Sequence, residues 1–212
     1  MDGTPLQYLE GTAAFGPIDV VVDDRVLIPR PETEGLWQLA VSVVVEPTVI
    51  VDLCTGSGAI AVSLARSFPE AAVVGTDVSC PALEVARTNG ARYAPRVGWL
   101  EGDLFAALPS DLTGSVDLLV TNPPYVAESE WTALPADVRA EPRGALVAGP
   151  TGVEVYRRIA AGVAEWMAPG GVMVGEIGDG QSAEISGMFA GVGAVEIELD
   201  LAGRDRYVIC RL

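Results

Sequence analysis

Short apolar runs alternate with segments of helical spacing along most of this chain. Val49–Leu53, Val73–Thr76, Val97–Leu100 and Val116–Thr121 are compact apolar runs, as are Val172–Ile177, Val195–Leu199 and Tyr207–Cys210. Their length and β-branched content predict strands. Between them, Ala59–Ser67, Pro81–Ala91, Val153–Met167 and Ala183–Phe189 predict helices, with Ser79 placed to cap the second. Strands alternating with helices predict a parallel sheet covered on both faces. The last two strands, joined by Asp200–Arg206, are expected to pair antiparallel.

Upstream of this pattern, residues 1–14 contain no helix long enough to stand alone. Phe15–Val22 and Val26–Ile28 predict a hairpin about the turn-forming pair Asp23-Asp24. Arg30-Pro31-Glu32-Thr33-Glu34 combines a proline with acids in a first helical turn. Leu36, Leu39, Ala40 and Val43 then give the helix an apolar face. Residues 1–30 thus read as an N-terminal segment with a small hairpin, and 31–212 as the main domain. Val126–Pro150 is a long irregular stretch, and loops of that length in compact domains are usually functional or mobile.

Charge narrows the function. The 212 residues carry a formal net charge of −16, and all 13 basic residues are arginine. Nucleic-acid affinity rests largely on basic side chains neutralising phosphates, so that class is disfavoured. With no histidine, Ser-His-Asp and Cys-His chemistry is excluded within this chain. Three cysteines, at 54, 80 and 210, form no C-x-x-C pair and predict reduced thiols. There is no apolar run long enough for a membrane span and no secretory signal pattern at the start, which favours a cytoplasmic protein.

Four strand ends carry the candidate chemistry. Val116–Thr121 runs into Asn122-Pro123-Pro124-Tyr125. The prolines fix a stiff, non-helical corner that lacks two N–H donors. One side-chain amide, bare carbonyls and an aromatic face suit a planar NH2 group. Val49–Leu53 runs into Cys54-Thr55-Gly56-Ser57-Gly58, whose glycines permit close approach of a ligand. No Gly-Lys-Ser/Thr follows, and Ala61 stands where a dinucleotide fingerprint has its third glycine. A phosphate-free nucleoside therefore fits. Asp77 ends the next strand, 25 residues after Asp52, where an acid can take both ribose hydroxyls. Asp103 follows the third strand and could meet an adenine's amino group, with Leu104 and Phe105 against the ring.

These motifs together resemble the class I S-adenosylmethionine-dependent methyltransferases. More narrowly, the chain resembles the release-factor glutamine N5-methyltransferases, the PrmC/HemK family. The resemblance runs from Tyr8-Leu9-Glu10-Gly11 to the C-terminus. It includes Ile28-Pro29-Arg30-Pro31-Glu32-Thr33-Glu34, Asp52–Ala61, Gly102–Phe105, Asn122–Tyr125, Glu141-Pro142, Glu176-Ile177-Gly178 and Asp200–Arg206. It implies a Rossmann-like sheet of seven mostly parallel strands, preceded by the hairpin. It implies a donor site for S-adenosylmethionine at Cys54, Thr55, Gly56, Ser57, Gly58, Asp77, Asp103, Leu104 and Asn122. Asn122, Pro123 and Tyr125 would be catalytic, and an acceptor glutamine would lie against Asn122–Tyr125, with the Arg30–Glu34 segment, Arg30 and Glu32 in particular, helping to close the site.

The implied acceptor is the glutamine of a Gly-Gly-Gln loop in a peptide chain release factor. Two departures stand out. Family members usually have glycine where Cys54 stands, and only a dozen or so residues precede the matched region, where the family carries a helical domain. That second departure keeps a small-molecule amide or amine open as the acceptor. A nucleic-acid adenine N-methyltransferase and a non-catalytic donor-binding module rank lower.

Overall fold

The computed structural model describes residues 3–212. In chain order the elements begin with α1 (Leu6–Glu10), β1 (Thr12–Phe15), β2 (Ile18–Val21), α2 (Pro31–Ser42), β3 (Val49–Leu53), α3 (Ala59–Ser67), β4 (Ala72–Asp77), α4 (Cys80–Tyr93), β5 (Gly98–Glu101) and β6 (Val116–Thr121). They continue through β7 (Val126–Ala127), α5 (Arg143–Leu146), β8 (Val147–Gly149), α6 (Glu154–Trp166), β9 (Met167–Glu176), α7 (Ser182–Phe189), β10 (Ala194–Leu199) and β11 (Asp205–Arg211). Among the described residues, no helix is long and apolar enough to cross a membrane.

Seven strands form the central sheet in the order β10-β11-β9-β6-β3-β4-β5. β3 pairs parallel with both β4 and β6, and only β11 runs antiparallel to its neighbours. The chain moves outward from β3 through β4 to β5, then returns to the other side of β3 as β6. That reversal is a topological switch point, and it opens a crevice beyond the carboxyl ends of β3 and β6. Both strands are buried along almost their whole length, as central parallel strands must be.

Two apolar cores lie on opposite faces. One joins α2, α3 and the amino-terminal hairpin, with Phe15, Val20, Leu36 and Leu64 fully buried. The other joins α6 and α7, where Tyr156 packs edge-on against Phe189 with ring centroids 6.3 Å apart. Ser79 caps α4 by accepting from the backbone N–H of Ala82, as its sequence position predicts.

The hairpin differs from expectation. β1 and β2 turn at Gly16-Pro17, not at Asp23-Asp24, and Val26–Ile28 is not a strand. Gly16 adopts φ 52°, which the tight turn needs. Asp23 instead uses its carboxylate locally, accepting from the backbone and side chain of Arg25. Val26 and Ile28 are nevertheless buried, so the segment crosses the core as extended chain. The stretch 126–150 is also less irregular than expected, since β7 and β8 pair within it.

Candidate active site

The turn after β3 is built on a buried carboxylate. Asp52 is fully buried and its Oδ2 accepts from the Thr55 hydroxyl at 2.6 Å and the Ala61 N–H at 3.1 Å. Burial pushes its carboxyl up to about 7, against the opposing effect of those two hydrogen bonds. Cys54, Gly56 and Gly58 all take positive φ, at 60°, 54° and 79°. At Gly58 a Cβ would stand 2.7 Å from the Trp99 ring, so no larger residue fits there. At Gly56 it would meet nothing, which leaves the backbone open to the crevice.

Asp77 holds this turn from the neighbouring strand. Its carboxylate accepts from Gly56 N–H and Ser79 N–H, each at 2.9 Å. Each oxygen keeps further acceptor capacity for two hydroxyls. Burial raises the Asp77 carboxyl, with the Ser79 and Gly56 N–H groups pulling it down. Further along, Leu104 is buried, while Asp103 is exposed and pairs with Arg158 at 2.7 Å.

The corner after β6 carries a directed amide. Asn122 Nδ2 donates to the Thr33 hydroxyl at 3.2 Å. Thr33 in turn donates to Glu176 Oε2 at 3.1 Å, and the Tyr125 hydroxyl donates to Glu176 Oε1 at 3.2 Å. The other end of the amide, Asn122 Oδ1, is buried with no hydrogen-bond partner. A buried acceptor left this way loses free energy unless a ligand supplies its donor. Burial raises Glu176 to about 7, opposed by Thr33, Tyr125 and the Arg206 charge.

The roof is fastened by one more buried acid. Glu141, 3% exposed, accepts from Ile28 N–H at 2.9 Å and pairs with the Arg30 guanidinium. Burial holds its carboxyl above the ordinary range despite Arg30.

A cleft of about 450 Å³ runs between these parts. Cys54, Thr55, Gly56 and Ser57 line one wall, with Asp77, Asp103 and Leu104 beside them. Asn122, Pro124 and Thr33 line it as well. Gly58 lies beneath the turn against Trp99, and Pro123 is buried behind the corner. Tyr125 turns from the cleft to Glu176, and Arg30 turns to Glu141.

Glu32 departs most from expectation. It faces a second depression beside Glu198, Asp200 and Tyr207, outside the cleft. Successive helical residues point about 100° apart. With Thr33 turned inward at the start of α2, Glu32 must face elsewhere. The sequence leaves Glu141, Arg158 and Glu176 without roles, and gives Thr33 none beyond its place in the Arg30–Glu34 segment. A signal existed for Glu176 and Asp52: each is a lone charge in an otherwise apolar strand run.

A switch-point crevice of about 450 Å³ in this strand order, with no basic residue in its glycine turn, is the arrangement of a class I methyltransferase. A family profile described as Methyltransferase small domain matches residues 38–141. A methyltransferase from Pyrococcus furiosus superposes with a TM-score of 0.68 at 17% identity, covering 93% of this chain and 90% of that one. An RNA methyltransferase from Salinibacter ruber, solved with S-adenosyl-L-homocysteine, gives 0.56 at 20% identity, covering 88% and 93%.

Sequence identity is far higher elsewhere. The release factor glutamine methyltransferase of Moorella thermoacetica is 43% identical over 211 residues, covering 96% of this chain and 74% of that protein. The chain belongs to the release factor glutamine methyltransferase family.

Proposed function

We propose that the chain transfers a methyl group from S-adenosylmethionine to the side-chain amide nitrogen of a glutamine. The acceptor is the Gly-Gly-Gln loop of a peptide chain release factor. One observation carries this reading: the buried Asn122 Oδ1 has no partner, while its Nδ2 is tied to Thr33. An acceptor oxygen held in that state is matched by an incoming N–H.

The cleft fits the donor as a nucleoside. Asp77 has spare acceptor capacity for a ribose diol, Leu104 offers an apolar shelf, and the open lip at Gly56 admits close backbone approach. Bound there, the donor supplies an electrophilic methyl on a sulfonium.

The chain's own residues then position and polarise the acceptor. An amide nitrogen is a poor nucleophile because its lone pair is shared with the carbonyl. Asn122 Oδ1 accepts a hydrogen bond from one of its N–H groups, and the Pro123 carbonyl is the natural acceptor for the other. Both dipoles face the nitrogen where positive charge develops, and fixed dipoles of this kind lower the barrier without reorganising. The methylated nitrogen is strongly acidic and sheds a proton to a carbonyl or water. No histidine base is needed, consistent with a chain that has none.

Asn122→Ala tests the assignment. Transfer to release factor should fall about a hundredfold or more, as for loss of one preorganised dipolar contact. Donor affinity, measured by calorimetry, should change far less. Retained transfer in the variant would remove Asn122 from the mechanism.

A further inference from the structure

The Asn122 amide could present either of its two ends to the cleft. The Oδ1 and Nδ2 ends have nearly the same shape, so packing alone does not choose between them. Only a hydrogen-bond partner with a fixed donor and acceptor sense can.

That sense comes from Glu176. An ionised carboxylate accepts and never donates. Thr33 lies between Glu176 and Asn122, so its single hydroxyl proton must point to Glu176. Its lone pairs are left for Asn122, which must offer Nδ2. Oδ1 is thereby left at the buried, unpartnered position, on a residue that lines the cleft.

We propose that Glu176 is a positioning residue that sets which end of the Asn122 amide faces the acceptor, acting through the Thr33 hydroxyl. The inference rests on the reading above, in which Asn122 Oδ1 receives an acceptor N–H.

The groups around Glu176 suit this role. From α2 come Thr33 and the charge of Glu32, and from the corner after β6 comes Tyr125. From β11 come Arg206 and Tyr207, and from α6 Tyr156, whose hydroxyl donates to the Glu176 backbone carbonyl. Arg206 favours the ionised carboxylate, while burial and Glu32 oppose it. Protonated Glu176 can donate to Thr33 and release the Thr33 proton towards Asn122. That proton attracts Oδ1 and turns the amide over. Productive orientation is therefore present when Glu176 is ionised and is lost as pH falls through about 7.

Glu176→Gln is the direct test, because it keeps the shape and restores a donor. Acceptor turnover should fall about tenfold or more, with donor affinity by calorimetry nearly unchanged. Wild-type kcat/KM should rise with pH through about 7, and that inflection should vanish in the variant. Thr33→Val should copy the loss, and Thr33→Ser, which keeps the hydroxyl, should recover most of it.

An NMR reading separates this inference from the choice of acceptor. The Asn122 side-chain amide resonance, assigned by its disappearance in Asn122→Asp, should titrate with Glu176 and stop titrating in Glu176→Gln. Titration without transfer to any glutamine would remove the acceptor assignment and leave the relay standing. A resonance indifferent to Glu176→Gln, or an unchanged pH inflection in that variant, would overturn the relay.

Discussion

The Glu141 carboxylate and the Arg30 guanidinium form an ion pair across 111 residues of sequence, with Glu141 fully enclosed and Arg30 about one-third exposed. The same carboxylate holds the backbone N–H of Ile28. The pair therefore fastens the segment before α2 to the segment before α5, and both contribute to the walls of the cleft. Removing the acid strands a backbone donor and a charge, whereas removing the arginine strands only a carboxylate that burial already biases towards protonation.

Glu141→Ala should therefore destabilise the protein by about 2 kcal/mol or more, less than the roughly 3–5 kcal/mol of a fully buried pair because Arg30 reaches solvent. Arg30→Ala should cost less. Urea denaturation of both variants checks the order, and a larger loss for Arg30→Ala would contradict it.

Cys54 sits at φ 60°, a conformation that only glycine adopts freely. Cys54→Gly relieves the backbone strain but adds freedom to the unfolded chain. The net effect should be a small gain, up to about 1 kcal/mol. A loss of stability in chemical denaturation would mean that the thiol's packing outweighs the strain.

Asp52 and Glu176 are buried carboxyls raised to about 7 in the fold. Unfolded, such groups titrate near 4. Between those values the folded state binds more protons than the unfolded state, so stability falls as pH rises from about 4 to about 7. The contribution is full below the unfolded value and gone above the folded one. Asp52→Asn, which does not titrate, should flatten the fall in melting temperature between about pH 4 and about pH 7. An equally steep fall in Asp52→Asn would assign the effect to other acids. Stability and the proposed action of Glu176 thus pull in opposite directions across neutral pH.

The sheet was legible because its signals are local. Each strand is a short apolar run, and the alternation with helices forces the parallel order. The hairpin is hard to place from sequence because two turn signals compete, Gly16-Pro17 and Asp23-Asp24. Period-two burial decides between them: Ala13, Phe15, Ile18 and Val20 are buried, while Ala14 and Asp19 are exposed. The short pairing of β7 with β8 left no pattern to read. It is braced from outside, by Gln181 donating to the carbonyls of Tyr125 and Gly152.

The donor side of the cleft was equally readable, since a glycine turn and strand-end acids declare themselves locally. The acceptor side was not. Thr33 meets Asn122 across 89 residues and Glu176 across 143, so neither role has a local signature. Within Arg30–Glu34 the sequence does not single out Thr33 from Glu32, because charge is conspicuous in sequence whereas the phase of α2 is set by packing.

The central claim is that this site methylates a glutamine side-chain amide on a release factor. The most direct test incubates the purified chain with S-adenosylmethionine and release factor, then maps the product by tandem mass spectrometry. The account predicts the mass increment of a single methyl on the glutamine of the Gly-Gly-Gln loop, and none in a Gln→Ala substrate. An unmodified loop, in a sample where donor binding is demonstrated, would contradict it and direct the search to small amides and amines.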